Sequence, residues 1–308
     1  MSSTKPIVVI TGATGAQGGS VLRALQATGK FSLRAVTRNP ASEAAQALAK
    51  SGVEVVKGDA TNSESIRKAF SGAWGAFLVT SFWDPAAQLA RDTDLVHGKL
   101  LVDAAKAAGV KFVVWSSLHD IDAKSGGKLD VPHYTLKHKV EEYIKSVGLD
   151  GAFAYAGFYS TNWINFPPLA GPTRQKDGSI VINLPWRADV AIPVIDLDAD
   201  FGKFVAPAFL DPKKFHYKEL LAAGEYITVN HMADAYTEVT GEKIKIVPIE
   251  IESLPLEELQ HTAKLFNDYG YYVGEQLEPT RELYGPEFKL NTFKDWLRHT
   301  GFKVPAAQ

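Results

Sequence analysis

The amino-acid sequence predicts an α/β fold, in which a doubly wound parallel sheet of the Rossmann type is followed by a smaller, irregular α+β C-terminal domain. Short β-branched apolar runs alternate with Ala- and Leu-rich helical stretches over roughly the first 150 residues. A glycine-rich turn directly follows the first run, and beyond about residue 157 the alternation gives way to clustered prolines. Continuous apolar strands joined by amphipathic helices are typical of a parallel sheet buried on both faces.

Each element follows from one of these runs or from the stretch between two of them. The first five strands are expected at Ile7–Ile10, Leu33–Val36, Val53–Val56, Ala76–Val79 and Phe112–Trp115, and a sixth at Ala152–Ala156. Helices are expected over about 17–28, 41–51, 62–71, 86–109, 132–147, 231–240 and 292–300. Asn62 is placed to cap the start of one of them. We therefore predict a first domain over 1–156 and a smaller second domain over 157–308, with some interleaving allowed.

Composition limits the function. The chain of 308 residues carries 33 Lys and Arg against 35 Asp and Glu, a formal charge of −2, which argues against proteins that coat nucleic acids or bind anionic membranes. Cysteine is absent, which excludes disulfides, cysteine–zinc sites, iron–sulfur clusters and thiol catalysis. The histidines show no metal-ligand spacing, and no stretch reaches the ~18 apolar residues of a membrane span. We expect a cytoplasmic protein, with the nucleus as a second location.

The strongest motif is the glycine turn Thr11–Gly19, which sets Gly12, Gly15 and Gly18 in the pattern G-x-x-G-x-x-G. A pyrophosphate needs backbone N–H groups that approach without a Cβ in the way, together with the positive end of a helix dipole. The first glycine permits the tight turn, the second the close approach and the third the helix–strand contact. The turn therefore predicts a dinucleotide site, completed by Thr14, Ala16 and Gln17. The alternative is a glycine turn without a ligand.

The end of the second strand indicates which dinucleotide binds. An NAD site typically has Asp or Glu about 20 residues after the glycines, where it holds the ribose 2′-hydroxyl. Here that position reads Thr37–Pro40, with Arg38 and Asn39, and the nearest acid is Glu43. A guanidinium makes charge-assisted contacts with a 2′-phosphate, so we predict NADP(H). Asp59 is expected to contact the edge of the adenine; the alternative is that it caps a loop or helix next to it. The alternative for Arg38 is a solvated surface arginine without a ligand.

Several segments together resemble the NmrA-like family of atypical short-chain dehydrogenases, particularly its NADPH-sensing branch. The resemblance is good over about residues 6–165 and looser beyond, and it is carried by Val9–Val21, Ala35–Pro40, Val53–Asp59, Gly98–Leu101, Val114–Ser117, Lys137 with Val140–Tyr143, and Tyr155–Tyr159. It implies NADP(H) held by residues 12–18 and by Arg38. Some members of the family are redox sensors or co-regulators, whereas related branches are NADPH-dependent reductases. We expect a sensor that responds to NADPH/NADP+ through a protein partner; the alternative is an oxidoreductase that reduces a small carbonyl, quinone or imine. Either is expected as a monomer or homodimer.

The catalytic apparatus of the short-chain dehydrogenases is only partly matched. These enzymes use a tyrosine as proton donor with a lysine four residues later, and a serine from the end of the fifth strand. Lys137 matches the family lysine, but His133 occupies the tyrosine position and Tyr134 lies one residue off. Ser116 and Ser117 end the fifth strand.

The helical period predicts where these candidate side chains lie around the helix. At about 100° per residue, His133 lies near the apolar stripe of its helix and Tyr134 nearer to solvent. His133 is a candidate acid or a packed histidine. Lys137 is a candidate cofactor contact; the alternative is that it forms an i,i+4 ion pair with Glu141. Glu141 and Glu142 are expected on a solvated face of the helix.

Two further loops follow strand ends at the edge where ligands of such sheets bind. After the fourth strand we expect Thr80, Ser81 and Phe82 to contact the cofactor, within the loop 80–84. After the sixth strand we expect the same of Tyr155 and Phe158. Trp83 and Tyr159 are candidate walls of a substrate pocket, and the alternative is that these aromatics pack in the core.

Overall fold

The computed structural model describes residues 5–83 and 91–307. The chain forms two compact units, each made of several segments. The first contains 1–120, 132–155 and 201–220, and the second contains 121–131, 156–200 and 221–308. A division into folding domains at 156/157 stays a prediction.

The secondary structure follows the predicted alternation. The strands are β1 (Ile7–Ile10), β2 (Ser32–Thr37), β3 (Glu54–Lys57), β4 (Gly75–Leu78), β5 (Phe112–Ser117), β6 (Gly151–Ala156), β7 (Phe158–Tyr159), β8 (Thr173–Arg174), β9 (Ile180–Leu184), β10 (Ala191–Ile195), β11 (Glu219–Ala222), β12 (Glu225–Thr228) and β13 (Ile244–Pro248). The helices are α1 (Ala16–Thr28), α2 (Glu43–Lys50), α3 (Ser63–Phe70), α4 (Thr93–Ala107), α5 (Ile121–Ser125), α6 (Pro132–Ser146), α7 (Asn162–Asn165), α8 (Pro167–Ala170), α9 (Leu197–Leu210), α10 (Pro212–Phe215), α11 (Val229–Thr240), α12 (Glu257–Asp268), α13 (Glu278–Tyr284) and α14 (Phe293–Thr300). The expected start of the fourth helix, at 86–90, lies outside the described residues.

The seven-stranded sheet has the order β11-β6-β5-β4-β1-β2-β3, and its pairs from β3 to β6 are all parallel. The predicted Rossmann-type fold is thus confirmed. The strand β1 lies between β2 and β4, so the strand order reverses there, and the crevice outside the carboxyl ends of these strands is where such sheets bind ligands. The strands β4, β5 and β6 are buried along their whole length because both faces of the sheet are covered.

Local capping sets several helix ends. Asn62 accepts a hydrogen bond from the Ser65 amide at 3.0 Å, so the predicted cap of α3 is confirmed. Thr292 and Asp295 form a reciprocal capping box at the start of α14. Such caps satisfy amides that have no partner within the helix.

The second unit contains two three-stranded sheets, in the orders β12-β10-β7 and β13-β9-β8. Aromatic rings pack together in its core. The ring centroids of Trp163 and Phe293 lie 4.8 Å apart, and those of Phe293 and Trp296 lie 5.3 Å apart. This is the irregular α+β character that the prolines predicted. Within residues 5–83 and 91–307, no helix combines the length and the apolar character needed to cross a membrane.

Candidate cofactor site

The glycine turn joins the carboxyl end of β1 to the start of α1. Gly12 adopts a φ of +60°, a left-handed conformation that favours glycine, and its carbonyl accepts a hydrogen bond from the Gly15 amide at 2.9 Å. The buried Thr11 anchors the turn to the end of β4, because its hydroxyl accepts a hydrogen bond from the Val79 amide at 2.9 Å. The turn is therefore fixed at the point where the strand order reverses.

Gly18 fixes the distance between this turn and α1. A Cβ at Gly18 would lie 2.3 Å from the carbonyl oxygen of Gly12 and 2.8 Å from the Ala13 amide nitrogen, which is too close for any side chain. The helix thus rests directly on the backbone of the turn, as its predicted role in helix–strand contact requires.

The first amides of α1 fit an anionic ligand. Gly15, Thr14 and Ala16 are exposed, and Gln17 is half-buried. Among the residues the structure describes, no side chain caps the helix start, and the sequence supplies no acid in its first turn. The helix N-terminus therefore presents its amides and its positive dipole end to solvent, as a pyrophosphate requires.

Arg38 directly follows β2 and is exposed. Asn39 is used locally, because its side-chain oxygen accepts a hydrogen bond from the Ala41 amide at 3.1 Å. Asp59 likewise closes a turn, since its carboxylate accepts hydrogen bonds from the amide and the hydroxyl of Thr61 at 2.9 and 2.8 Å. These bonds lower the pKa of Asp59, and the charges of Arg38 and His97 lower it further. Arg38 and Asp59 are thus close enough to interact electrostatically.

Lys137 lies at the end of β4, where α6 passes the sheet. Its ammonium donates hydrogen bonds to the carbonyl and the hydroxyl of Thr80, at 3.2 and 3.1 Å, and forms an ion pair with Asp94 at 3.2 Å. The ion pair that the sequence suggested, with Glu141, is replaced by this one. The sequence does not indicate that Asp94 contacts Lys137, because Asp94 precedes it by more than forty positions and lies on another helix.

His133 lies one helical turn before Lys137 and belongs to an aromatic cluster. Its ring centroid is 5.8 Å from that of Phe82, 5.2 Å from that of Trp83 and 4.8 Å from that of Tyr134. His133 is half-buried and Trp83 is 40% exposed, so one side of the cluster faces solvent. Ser81 beside it is exposed.

The expectation that Tyr134 lies near solvent is wrong, because only 2% of Tyr134 is exposed. The buried positions of α6 spread over about 260° of its circumference at 100° per residue, so the helix has no broad solvent face. These positions are Pro132, Tyr134, Thr135, Leu136, Val140, Glu141 and Ile144.

Glu141 is likewise buried, with 0% exposed, so its expected place on a solvated face is also wrong. Its carboxylate accepts hydrogen bonds from the hydroxyls of Ser117 at 2.7 Å and Tyr155 at 2.8 Å, and from the Lys145 ammonium at 2.7 Å. Burial and the Glu141 charge raise the pKa of Tyr155. The hydroxyls of Ser117 and Tyr155 are therefore committed to this buried network, and Ser116 is buried too.

Phe158 and Tyr159 belong to the second unit, where they form β7 and pair with Val194 and Ile195 of β10. Phe158 is 8% exposed and Tyr159 is half-buried. Their assignment to the cofactor or to a substrate pocket stays a prediction. Within the part of the chain that the structure describes, no group of three or more acidic or histidine side chains is placed to bind a metal ion.

The chain is similar in sequence to proteins of a known family. The sequence signature of the NmrA-like family matches residues 4–297. The NmrA-like family domain-containing oxidoreductase cpsB of Aspergillus campestris is 31% identical over 299 residues, which are 91% of this chain and 87% of that protein.

Solved structures that share the fold include a regulator and a reductase. NmrA, described as a negative transcriptional regulator and crystallised with NADP, superposes with a TM-score of 0.81 at 24% identity, covering 96% of this chain and 95% of its own. The triphenylmethane reductase of Citrobacter sp., complexed with NADP(H), superposes with a TM-score of 0.73 at 22% identity, covering 96% and 99%.

Proposed function

The chain belongs to the NmrA-like family, and we propose that it binds NADP(H) at the carboxyl edge of its seven-stranded sheet. The observation that carries this proposal is the glycine turn, in which Gly18 has no room for a Cβ and α1 begins at the exposed Ala16. In the proposed site the turn holds the pyrophosphate through the backbone N–H groups of Ala16 and Gln17, while the Gly15 amide closes the turn onto the Gly12 carbonyl. Thr14 flanks the same phosphates.

The proposed preference for NADP(H) over NAD(H) rests on Arg38. Arg38 directly follows β2, where an NAD site has a carboxylate, and its guanidinium is the group proposed to bind there. It suits a 2′-phosphate because charge-assisted contacts between Arg and phosphate are strong and often bidentate. Asp59 carries a negative carboxylate whose pKa the Arg38 charge helps to lower, so it does not bind the phosphate itself.

We further propose that the site serves a reductase that acts on a small carbonyl, quinone or imine. When bound, NADPH supplies the hydride. Lys137 is placed beside Thr80 to hold the cofactor, and His133 is the proton donor to the substrate, since histidine is the commonest general acid and the neighbouring Tyr134 is buried. Support comes from the 31% sequence identity between this chain and cpsB of Aspergillus campestris, which is named as an oxidoreductase.

A second candidate is the redox sensor that the sequence favoured. It is supported by the histidine at the usual tyrosine position and by the likeness of fold to a transcriptional regulator. A sensor requires that NADPH and NADP+ differ in their affinity for two states of the protein or of its complex, because a ligand shifts a population only by its differential binding.

One experiment separates the two candidates. NADPH binding is measured by fluorescence titration, and NADPH consumption by absorbance against a panel of quinones, aldehydes and imines. A reductase consumes NADPH with at least one class, loses turnover in Lys137→Met and His133→Gln, and keeps it in Lys139→Met, an exposed lysine on the same helix. A sensor binds NADPH without consuming it and changes its protease resistance. Absence of binding overturns both.

A further inference from the structure

The Lys137 ammonium has three polar partners within the protein: two hydrogen-bond acceptors on Thr80 and, as an ion pair, the carboxylate of Asp94. A lysine ammonium has three donors. Here its partners are the carbonyl oxygen of Thr80 at 3.2 Å, the hydroxyl of Thr80 at 3.1 Å and a carboxylate oxygen of Asp94 at 3.2 Å. The lysine side chain is 11% exposed, and its ammonium lies 5.6 Å from the centroid of the Trp115 ring. Its position is therefore set by these partners and not by solvent.

Asp94 is the unusual member of this group. Its side chain is 1% exposed, and among the described residues neither carboxylate oxygen receives a properly aligned hydrogen bond. The Lys137 ammonium is the ionic partner found for it. Buried polar groups are nearly always hydrogen-bonded, and one that is not calls for an explanation.

Stability does not supply that explanation. Replacing a buried ion pair by well-packed apolar residues is often neutral or stabilising. Asp94 occupies the first turn of α4, where the helix dipole favours a negative charge, but α4 also carries the exposed Asp92 immediately before its first residue. What Asp94 provides in addition is a fixed negative charge beside Lys137, at the carboxyl end of β4.

We propose that Asp94 is a positioning residue: it holds the Lys137 ammonium in place at the cofactor edge, and so sets the affinity for NADP(H) without touching the dinucleotide. The inference rests on the proposed cofactor binding. Thr80 is half-buried, so its two contacts are the ones a ligand can replace, whereas the buried carboxylate keeps the ammonium at the site.

The test is a double-mutant cycle in the full chain, with NADPH affinity from fluorescence titration and thermal stability as separate readouts. Asp94→Asn removes the charge at nearly constant shape, and we expect it to weaken NADPH binding about tenfold, a loss typical of a charged contact. Lys137→Met should weaken binding to a similar degree. The double variant should bind no more weakly than Lys137→Met alone, since both changes remove one function. Asp92→Asn, the exposed matched control, should bind like the wild type.

Stability separates positioning from a structural role. Lys137→Met leaves the buried Asp94 charge unpaired and should lower the melting temperature. Adding Asp94→Asn should restore the melting temperature while NADPH binding stays weak. If binding instead follows the melting temperature through the series, Asp94 is structural and the inference is wrong.

The remaining outcomes are also decisive. Wild-type affinity in Asp94→Asn, or losses that multiply in the double variant, would overturn the role of Asp94. If Asp94→Asn does not fold, Asp94→Glu decides: it keeps the charge but displaces the ammonium, so it should fold and still bind NADPH several-fold more weakly. Unchanged affinity there overturns the inference. Failure of the wild type to bind NADPH would instead overturn the proposed function.

Discussion

Gly18 offers the sharpest test of the glycine turn. In Gly18→Ala the new Cβ would lie 2.3 Å from the Gly12 carbonyl oxygen, 2.5 Å from the Gly12 carbonyl carbon and 2.8 Å from the Ala13 nitrogen. All three atoms are backbone, so no side chain can rotate away. Ordinary contact begins near 3.4 Å, so the turn and α1 must separate by the difference of 3.4 and 2.3 Å, about 1.1 Å.

That displacement has two consequences. Overpacking of this kind typically costs about 1–3 kcal/mol of stability. A shift of about 1 Å also misaligns the amides proposed to bind the pyrophosphate, and each charge-assisted hydrogen bond lost is worth about 1.5–3 kcal/mol. At 1.4 kcal/mol for each factor of ten, NADPH binding should weaken at least about tenfold.

Gly19→Ala is the matched control. Gly19 is the next residue of the same helix, but its added Cβ would meet the tip of the Arg23 side chain at 3.4 Å and the Ala13 carbonyl oxygen at 3.5 Å, which are ordinary contacts. Alanine is a better helix former than glycine by roughly 1 kcal/mol, so this variant should be as stable as the wild type or more so, with unchanged affinity. Fluorescence titration with NADPH and thermal unfolding measure both variants. Tight binding by Gly18→Ala, or equal losses in both, would refute the reasoning.

Three other changes test separate parts of the molecule. Arg38→Asp should weaken NADPH binding by more than about tenfold while NADH binding stays nearly constant, measured by calorimetry; equal losses for both would contradict the role of Arg38. Glu141→Ala should lower the unfolding free energy in urea by about 3 kcal/mol, because it leaves the buried hydroxyls of Ser117 and Tyr155 without their acceptor, whereas Glu142→Ala on the exposed side should change little. Asp295→Asn should destabilise the protein at neutral pH but little in strong acid. Hydrogen bonds from Thr292 lower the pKa of the Asp295 carboxyl in the folded state. The stabilisation by this carboxylate is therefore present above its unfolded-state pKa and is lost as the pH falls through its folded-state pKa. A destabilisation that is the same at both pH values would exclude that role.

The features predicted correctly from sequence are those with a local signature. The alternation of apolar runs and helices predicted the parallel sheet, since a strand buried on both faces must be continuously apolar. Gly18 and Asn62 were predicted for the same reason: a close approach or a cap leaves its mark within a few residues. Arg38 follows β2 as expected, because the strand end fixes its place.

The features missed depend on neighbours that are distant in sequence. Glu141 is charged and stands beside another glutamate, so the sequence places it in solvent, yet Ser117 and Tyr155 of β5 and β6 bind it in the interior. Tyr134 was misplaced because α6 is covered around most of its surface. The pairing of Asp94 with Lys137 joins two helices, and no periodicity within either one indicates it.

The binding of NADP(H) by the glycine turn is tested most directly by calorimetry of the wild-type chain with NADPH and with NADH. We predict saturable binding of one NADPH per chain, several-fold tighter than that of NADH. No heat with either dinucleotide up to millimolar concentration, or equal affinity for both, would contradict it.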